Sequence, residues 1–442
     1  MFNVRNKRMP LVVMLVLAAL FLSLAACTGA VEETPDEPAV DAPEEDTGET
    51  DVEEPADAEE PAAEEPAAEE PASEGLAGEA AEVESEFFSE EQYQRSLDQL
   101  EMQAAGEVDN TIGSDPWVQI LGDQEMVDTS EWAQDPPYTF CFSNAGVNNP
   151  WRVVGWTTMQ AEVDLHPEIE ELIHVDAEGS DEKQISDIAD LVASGNCDVL
   201  IVSPNTTAAL TPAVEQACEE LPVVVFDRGV FTDCPVSFVQ PIGGYAFGHQ
   251  GAEFIVDNCE PGCNVLALRI LPGVDVLEER WAAARLVFEE ADVNVIGVEF
   301  GDGDNAKVKS IVNDYLDRFG EIDAVWMDAG ATAVAALEAF EDRGLDYPII
   351  VGEDQQDFLV KWQQEDLTAI APTFPTYQWR TPIIAGMRIV QGEEVPATWR
   401  LPQPAVTQEN LDQFVQPNMP PLHYAMCGCE EMPDFPERWG GN

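Results

Sequence analysis

Charged side chains directly follow several short apolar runs in this sequence. Residues 221–230 read LPVVVFDRGV, so that Asp227 and Arg228 come immediately after four consecutive apolar residues. A carboxylate accepts hydrogen bonds and a guanidinium donates them in a planar fork, which suits the pair to a partner rich in hydroxyl groups. The alternative interpretation of the same two residues is a surface ion pair of little energy.

Other apolar runs are followed by polar residues in the same way. NAGVNNPWR follows the run at 138–143, and PNTTAAL follows the run at 198–203. The segment after 264–270 ends in Arg280, DAGAT follows 323–327, and Glu353-Asp354 follows 348–352. In parallel sheets ligands bind beyond the carboxyl ends of the strands, so we expect these residues to line one shared cleft.

The spacing of the apolar runs predicts the elements that position these side chains. Short apolar runs alternate with segments of helical periodicity, such as 182–194, in which Ile185, Ile188 and Leu191 share one face. Strands that alternate with helices of this length form βαβ units. The sequence therefore predicts an α/β fold with two doubly wound parallel-sheet lobes joined by a multi-crossover hinge.

The charge balance excludes one class of partner. The chain has 87 Asp and Glu against 19 Lys and Arg, with a formal net charge of −68. Nucleic-acid binding requires a basic surface, so we expect no nucleic acid partner.

The N-terminus is typical of an exported protein. Arg5, Lys7 and Arg8 precede an apolar run that ends in Ala26, and Cys27 follows at once. The pattern predicts a signal peptide at 1–26 and resembles a bacterial lipobox, which implies a lipid on Cys27. The alternative is an uncleaved signal anchor. Residues 28–85 contain many acidic residues and no basic one, and predict a disordered tether.

An even number of cysteines follows Cys27. They are Cys141, Cys197, Cys218, Cys234, Cys259, Cys263, Cys427 and Cys429. In an exported chain this indicates four disulfides. Cys259 and Cys263 close a turn on themselves, and Cys218 and Cys234 bracket one short strand; the other partners stay open. A single C-x-C and four histidines do not make a zinc set, so we expect no metal site.

The order of these motifs over residues 137–405 resembles the type I periplasmic binding proteins, above all the ribose-binding-like family. In that family an Asn-Asn-Pro-aromatic motif contacts the sugar, which implies roles for Asn149, Trp151 and the following Arg152. The family's Asp-Arg pair corresponds to Asp227 and Arg228, its helix-start Arg to Arg280, and its late Gly-x-Asp turn to Asp354. The helix-start alternative for Asn149 is equally typical of Asn-Pro sequences.

The chain departs from the family pattern at four places. Ala329 stands where a carboxamide is expected, Gly303 where a second aromatic residue is expected, and Thr373 where the hinge has a glutamine. Gly243-Gly244 replaces an Asp-Asn pair. Asp328, Phe374, Tyr377 and Trp379 are candidate substitutes, and we place Asp328 and Thr373 among the predicted ligand-binding residues.

Proline and glycine clusters predict where the chain crosses between the lobes. The crossings are expected near 240–243, 371–375 and 398–403. The first lobe is then 137–241 plus 374–399, and the second is 242–373 plus 400–442. Residues 86–136 form a helical or irregular lead-in.

The resemblance implies a solute-binding lipoprotein of an ABC importer that needs no cofactor and performs no catalysis. Its expected partners are a sugar or small polyol and a membrane permease, and the protein is expected to be a monomer on the extracytoplasmic face of the membrane. A sensor subunit for a receptor kinase is one alternative. A glycoside-active enzyme is another, although Glu353 and Asp354 are adjacent and should point apart.

Overall fold

The computed structural model describes residues 79–82 and 87–442. The predicted signal peptide, Cys27 and most of the predicted tether lie outside these residues. The tether prediction is wrong for residues 79–82, because Ala80 and Ala81 are buried in the second lobe. Their small side chains allow Arg269 to donate to the Ala80 carbonyl at 2.8 Å. Among the described helices, none is long and apolar enough to cross a bilayer.

The lead-in contains one helix and three two-residue strands. These are α1 (Glu90–Ala105), β1 (Val108–Asp109), β2 (Ile120–Leu121) and β3 (Met126–Val127). Ser89 caps the start of α1, and Gly106 ends the helix in the left-handed conformation. β1 pairs with β2 in an antiparallel hairpin.

The rest of the chain alternates strands and helices, as the periodicity predicts. The strands are β4 (Tyr138–Asn144), β5 (Ile169–Asp176), β6 (Val199–Ser203), β7 (Val223–Phe226), β8 (Ser237–Pro241), β9 (Cys263–Arg269), β10 (Val293–Phe300), β11 (Ala324–Met327), β12 (Ile349–Val351), β13 (Ala369–Ile370), β14 (Val395–Pro396) and β15 (Thr398–Leu401). The helices are α2 (Pro150–Val163), α3 (Asp181–Ser194), α4 (Thr207–Cys218), α5 (Gly244–Asn258), α6 (Asp275–Glu290), α7 (Asn305–Phe319), α8 (Ala333–Arg343), α9 (Gln356–Glu365), α10 (Thr381–Val390) and α11 (Leu411–Phe414).

Eleven of these strands form two separate parallel sheets, one in each lobe, and β14 instead pairs antiparallel with β3. The first lobe has the order β15-β8-β7-β6-β4-β5, and the second has β10-β9-β11-β12-β13. All four residues of β7 and all five of β6 are buried, as expected for strands covered by helices on both faces. This confirms the predicted α/β fold with two doubly wound lobes.

The chain passes between the sheets at three places. β8 ends at Pro241, and α5 of the second lobe begins at Gly244, after Gly243 with φ of 124°. After β13 the chain returns to the first lobe through a 3-10 turn, Thr376–Trp379. After β15 it re-enters the second lobe, where Val406 pairs with Ala371. The crossings are predicted from the sequence near 240–243, 371–375 and 398–403.

The end of the chain differs from the predicted lobe division. Arg400 and Leu401 pair with β8 and so belong to the first sheet. Residues 427–439 pack against Val154 and Ala161 of α2 in the first lobe, although the whole of 400–442 is predicted in the second. The reason is apolar burial, since Cys427, Met432 and Trp439 cover a face of α2 that would otherwise be exposed.

Candidate functional site

Arg152 is a buried cation of the first lobe and the centre of a hydrogen-bond network. Its side chain donates to Asn144 Oδ1 at 2.9 Å, Ser203 Oγ at 3.2 Å and Asp227 Oδ2 at 2.6 Å. Asn144, Ser203 and Asp227 end or follow β4, β6 and β7, which are neighbours in the sheet. Burial lowers the pKa of Arg152 to about 10, and Asp227 opposes that shift. The carboxyl ends of three strands thus hold one buried guanidinium.

Asp227 pairs with Arg152 rather than with the adjacent Arg228. The nearest approach of Arg228 is 3.9 Å from Nε to Asp227 Oδ2, and its terminal nitrogen donates to the Asn205 carbonyl. Asp227 has a φ of 70°, a left-handed conformation that Asp tolerates better than most residues. The two neighbouring side chains therefore serve different local networks at the end of β7.

Asn149 and Trp151 take different positions at the start of α2. Asn149 is exposed and caps the helix, because its Oδ1 accepts from the Arg152 backbone N–H at 2.9 Å. This is the helix-start role that the Asn-Pro sequence also predicted. Trp151 is half-buried, and its Nε1 donates to the Phe374 carbonyl at 2.7 Å. Its ring lies 5.9 Å from the Phe374 ring, so two aromatic faces meet at the cleft.

Arg280 is the buried cation of the second-lobe half. It is 3% exposed, and its guanidinium carbon lies 4.0 Å from the centre of the Phe247 ring and 5.0 Å from that of Phe374. One terminal nitrogen donates to the Asp328 carbonyl, and the same nitrogen lies 3.6 Å from Glu353 Oε1. Burial lowers the pKa of Arg280, and the Glu353 carboxylate opposes that shift.

Asp328 and Asp354 are fully buried carboxyl groups with one free oxygen each. Asp328 Oδ2 accepts from the Ile270 backbone at 3.1 Å, and Asp354 Oδ2 accepts from the Met426 backbone at 2.7 Å. Among the described residues, neither Oδ1 atom has a hydrogen-bond partner. Burial raises the pKa of both carboxyls to about 7. Two buried acceptors without partners are the groups that a bound molecule with O–H donors would satisfy.

Phe374, Thr373 and Tyr377, which the sequence offered at the departures from the family pattern, differ in what their side chains contact. Phe374 is buried between Trp151 and Arg280, so it supplies an aromatic face at the cleft. Thr373 is fully buried and donates its hydroxyl to the Pro404 carbonyl, a bond between two of the crossing segments. Tyr377 likewise donates to the Pro402 carbonyl. The side-chain donors of Thr373 and Tyr377 are thus already used at the hinge.

Two residues of this region were not among the predicted ligand-binding residues. Glu353 contacts Arg280, and Tyr424 donates its hydroxyl to Glu353 Oε2 at 3.2 Å. Tyr424 belongs to the same apolar cluster as Trp151. The position of Glu353 in Gly352-Glu353-Asp354 could have identified it, but no sequence pattern connects it with Tyr424, which lies 71 residues later.

The eight described cysteines lie in four pairs at S–S bonding distance. The Sγ atoms of Cys218 and Cys234 lie at bonding distance, as do those of Cys259 and Cys263, and these are the two pairs that the sequence suggested. The pairs left open are Cys141 with Cys197 and Cys427 with Cys429. His423 lies beside the last pair, with donor atoms of all three residues within 4.8 Å of one another.

The two lobes contact each other across the cleft. The backbone N–H of Gly229, just after β7, donates to Asp275 Oδ2 at 2.7 Å. The backbone N–H of Asp275 lies 3.3 Å from Thr207 Oγ1 at the start of α4. These hydrogen bonds join the two lobes. The Arg152 guanidinium carbon lies 5.8 Å from the centre of the Trp151 ring, and that of Arg280 lies 5.0 Å from the centre of the Phe374 ring.

Comparison with known proteins identifies a family. Residues 140–394 match the family described as periplasmic binding protein domain. The ribose import binding protein RbsB of Bacillus subtilis is 28% identical over 239 residues, which cover 54% of this chain and 77% of that protein. RbsB of Haemophilus influenzae is 24% identical over 228 residues, covering 51% of this chain and 77% of that protein.

Solved structures show the same fold. An ABC transporter solute binding protein from Thermobispora bispora has a TM-score of 0.60 and 21% identity, and covers 66% of this chain and 90% of its own. One from Bacillus halodurans with bound myo-inositol has a TM-score of 0.59 and 20% identity, and covers 64% and 98%. The sequence match and the two-sheet architecture lead to one conclusion: the chain belongs to the periplasmic binding protein family.

Proposed function

We propose that this protein binds a monosaccharide or a similar small polyol between its lobes and delivers it to an ABC permease. The proposal is supported by two sets of buried charged groups, Arg152 with Asp227 in one lobe, and Arg280 with Asp328 and Asp354 in the other. Alternating buried donors and acceptors match hydroxyl groups, which both donate and accept. Trp151 and Phe374 offer flat apolar surfaces for the C–H face of a sugar.

The relatives support this choice of ligand class. The curated relatives are ribose import binding proteins, and solved structures of the same fold carry myo-inositol, D-allose or D-arabinose. Catalysis is not part of the proposal. Glu353 contacts Arg280 and Tyr424, whereas Asp354 accepts from the Met426 backbone, so the two carboxyls serve different networks instead of flanking one bond.

The test is a thermal-shift and calorimetric screen of the purified protein with D-ribose, D-allose, D-fructose, myo-inositol and both arabinoses. A sugar at 100 times its Kd adds about 2.7 kcal/mol to the free energy of unfolding, which raises the Tm by several degrees. Asp227→Ala should weaken a bound sugar at least tenfold. Unchanged affinity in that variant would remove Asp227 from the site, and no bound sugar at all would refute the ligand class.

Attachment to the membrane belongs to the same proposal. A lipid on Cys27 would hold the protein at the extracytoplasmic face, and the exported location agrees with the four cysteine pairs as disulfides. Cys27→Ser should release the protein from membranes on washing with high salt. A variant that stays wholly with the membrane would indicate an uncleaved signal anchor.

A sensing function is the second candidate. One solved structure of the same fold, with a TM-score of 0.57, is the fructose-binding periplasmic domain of a hybrid two-component system. Sugar binding and lobe closure are common to both functions, so ligand binding does not separate them. Genes for a permease and an ATPase beside this one would favour import, and a receptor kinase gene would favour sensing.

A further inference from the structure

Two aromatic rings, a carbonyl and a carboxylate surround the Arg280 guanidinium, although one carboxylate would be enough to balance its charge. Its guanidinium lies between the faces of Phe247 and Phe374, at 4.0 and 5.0 Å from the ring centres. The Asp328 carbonyl accepts from one terminal nitrogen, and Glu353 lies 3.6 Å from the same nitrogen. Nε has no hydrogen-bond partner within residues 79–82 and 87–442. The arrangement fixes the plane of the fork and leaves one buried donor unused, as in a group prepared to bind a ligand.

Glu353 is in turn held at both of its ends. It is 4% exposed. Tyr424 donates its hydroxyl to Oε2 at 3.2 Å, while Oε1 faces Arg280. A buried carboxylate with these partners has little rotational freedom. A change at the Tyr424 hydroxyl is therefore transmitted to the position of Arg280 through Glu353.

Tyr424 comes from the C-terminal segment, beyond the residues 140–394 that match the family. The backbone of this segment is bonded on both sides of Tyr424. Gln356 N–H donates to the His423 carbonyl at 2.8 Å, and Ala425 N–H donates to the Asp354 carbonyl at 2.9 Å. On the first-lobe side, Tyr377 N–H donates to the Met426 carbonyl at 3.0 Å. The Tyr424 hydroxyl therefore meets Glu353 from a segment whose backbone is hydrogen-bonded on both sides of Tyr424.

We propose that Glu353 and Tyr424 are positioning residues of the ligand site, which hold the Arg280 guanidinium in the orientation that binds the ligand. The inference rests on the proposed function, since it names how part of that site is set. The C-terminal segment becomes part of the binding site, although it lies outside the matched part of the chain.

The experiment compares two Tyr→Phe variants, each of which removes one hydroxyl bonded to a glutamate. Tyr424→Phe should weaken the sugar that the wild type binds by roughly 5- to 30-fold. Tyr315→Phe is the matched control, because its hydroxyl donates to Glu299 Oε1 at 2.8 Å on the edge strand β10. The control should leave the affinity within twofold, and calorimetry with the sugars named above measures both.

A double-mutant cycle separates positioning from a general structural effect. If Tyr424 acts through Arg280, then Tyr424→Phe should change the affinity less than twofold once Arg280→Lys is already present. The full effect persisting in the Arg280→Lys background would overturn the proposal, and so would an affinity of Tyr424→Phe within twofold of wild type. If the wild type binds none of the sugars, the proposed function itself is refuted. That result differs from failure of the positioning proposal, which requires a wild type that binds a sugar and a Tyr424→Phe variant that binds it equally well.

Discussion

The two halves of the cleft are built on different principles. In the first lobe, Arg152 meets Asn144, Ser203 and Asp227, which all come from the ends of adjacent strands in one sheet. In the second lobe, Arg280 depends on distant parts of the chain, namely Phe374 from a crossing segment and Tyr424 from the C-terminal segment, acting through Glu353. One half is complete within its own sheet, and the other is assembled from several segments.

The difference also appears in how far the polar groups are satisfied. Arg152 and Asp227 form a 2.6 Å ion pair with both residues buried. In the described part of the chain, Asp328 and Asp354 each keep an oxygen without a hydrogen-bond partner, and burial raises the pKa of both to about 7. The first half is therefore set before a ligand arrives, whereas the second holds acceptors that a ligand would complete.

Removing the charge of Asp227 should have the largest effect on stability. Asp227→Asn keeps the size and the left-handed backbone preference, but leaves the buried Arg152 guanidinium without its counter-charge. Breaking a buried pair costs about 3–5 kcal/mol, which urea unfolding measures. Asp187→Asn is the control, because the pair of Asp187 with Lys183 is nearly as short at 2.7 Å, but its side chains are 19% and 42% exposed. Equal effects in the two variants would mean that the first half is not a preformed unit.

The buried carboxyls of the second lobe should make the stability of the protein depend on pH, and the Arg152–Asp227 pair of the first lobe should not. Asp354 stays protonated in the folded protein up to a pKa of about 7, whereas the unfolded chain releases this proton near pH 4. The folded state binds more protons between these values, so its stability should fall as the pH rises from about 4 to about 7 and then level off. Asp354→Asn should reduce that slope in unfolding curves measured from pH 4 to 8.

Asp317 provides the control for the pH experiment. It is exposed, and its hydrogen bond to Arg343 lowers its pKa below the ordinary value. Any stability from this group is lost only as the pH falls through the lowered pKa, so Asp317→Asn should leave the slope between pH 4 and 7 unchanged. If Asp354→Asn and wild type have parallel curves, the carboxyl is ionised in the folded protein and the contrast between the halves is weaker.

The contact between the halves can be disturbed without changing either network. A Cβ at Gly229 would overlap Asp275 Oδ2 and displace it from the Gly229 N–H. The overlap exists only when the lobes are closed, so Gly229→Ala should weaken sugar binding about tenfold and leave the Tm of the free protein within a few degrees. Gly146→Ala is the control, since its nearest contacts would be ordinary ones at 3.6 Å. Equal sugar affinity in both variants would contradict a ligand-bound state closed in this way.

The smallest effect on stability is expected at Arg228. Its guanidinium donates to the Asn205 carbonyl and is 3.9 Å from Asp227. Arg228→Gln should therefore lower the free energy of unfolding by about 1 kcal/mol or less, whereas Arg152→Gln should lower it several times more. The reverse order in urea unfolding would show that Asp227 pairs with its neighbour in solution.

The strand-end rule accounts for most of what could be predicted about the site. Asp227, Asp328 and Asp354 each follow a strand of a parallel sheet, and each is buried near the cleft. The identity of each residue at a strand end is given by the sequence itself. The hydrogen-bond partners of these residues could not be predicted in this way. Asp227 pairs with Arg152, 75 residues away, rather than with the adjacent Arg228, because the packing of α2 on the sheet brings Arg152 under the end of β7.

The two-lobed α/β architecture and the polar side chains that follow the strands could be predicted from the sequence alone. Periodicity and turn chemistry are properties of a few neighbouring residues, and they hold wherever the segment packs. The fold alone brings Asp227 to Arg152, the Thr373 hydroxyl to the Pro404 carbonyl, and Tyr424 to Glu353. Each of these bonds depends on which group from a distant part of the chain lies within about 3 Å of a polar atom, and burial decides that choice by excluding water as the alternative partner.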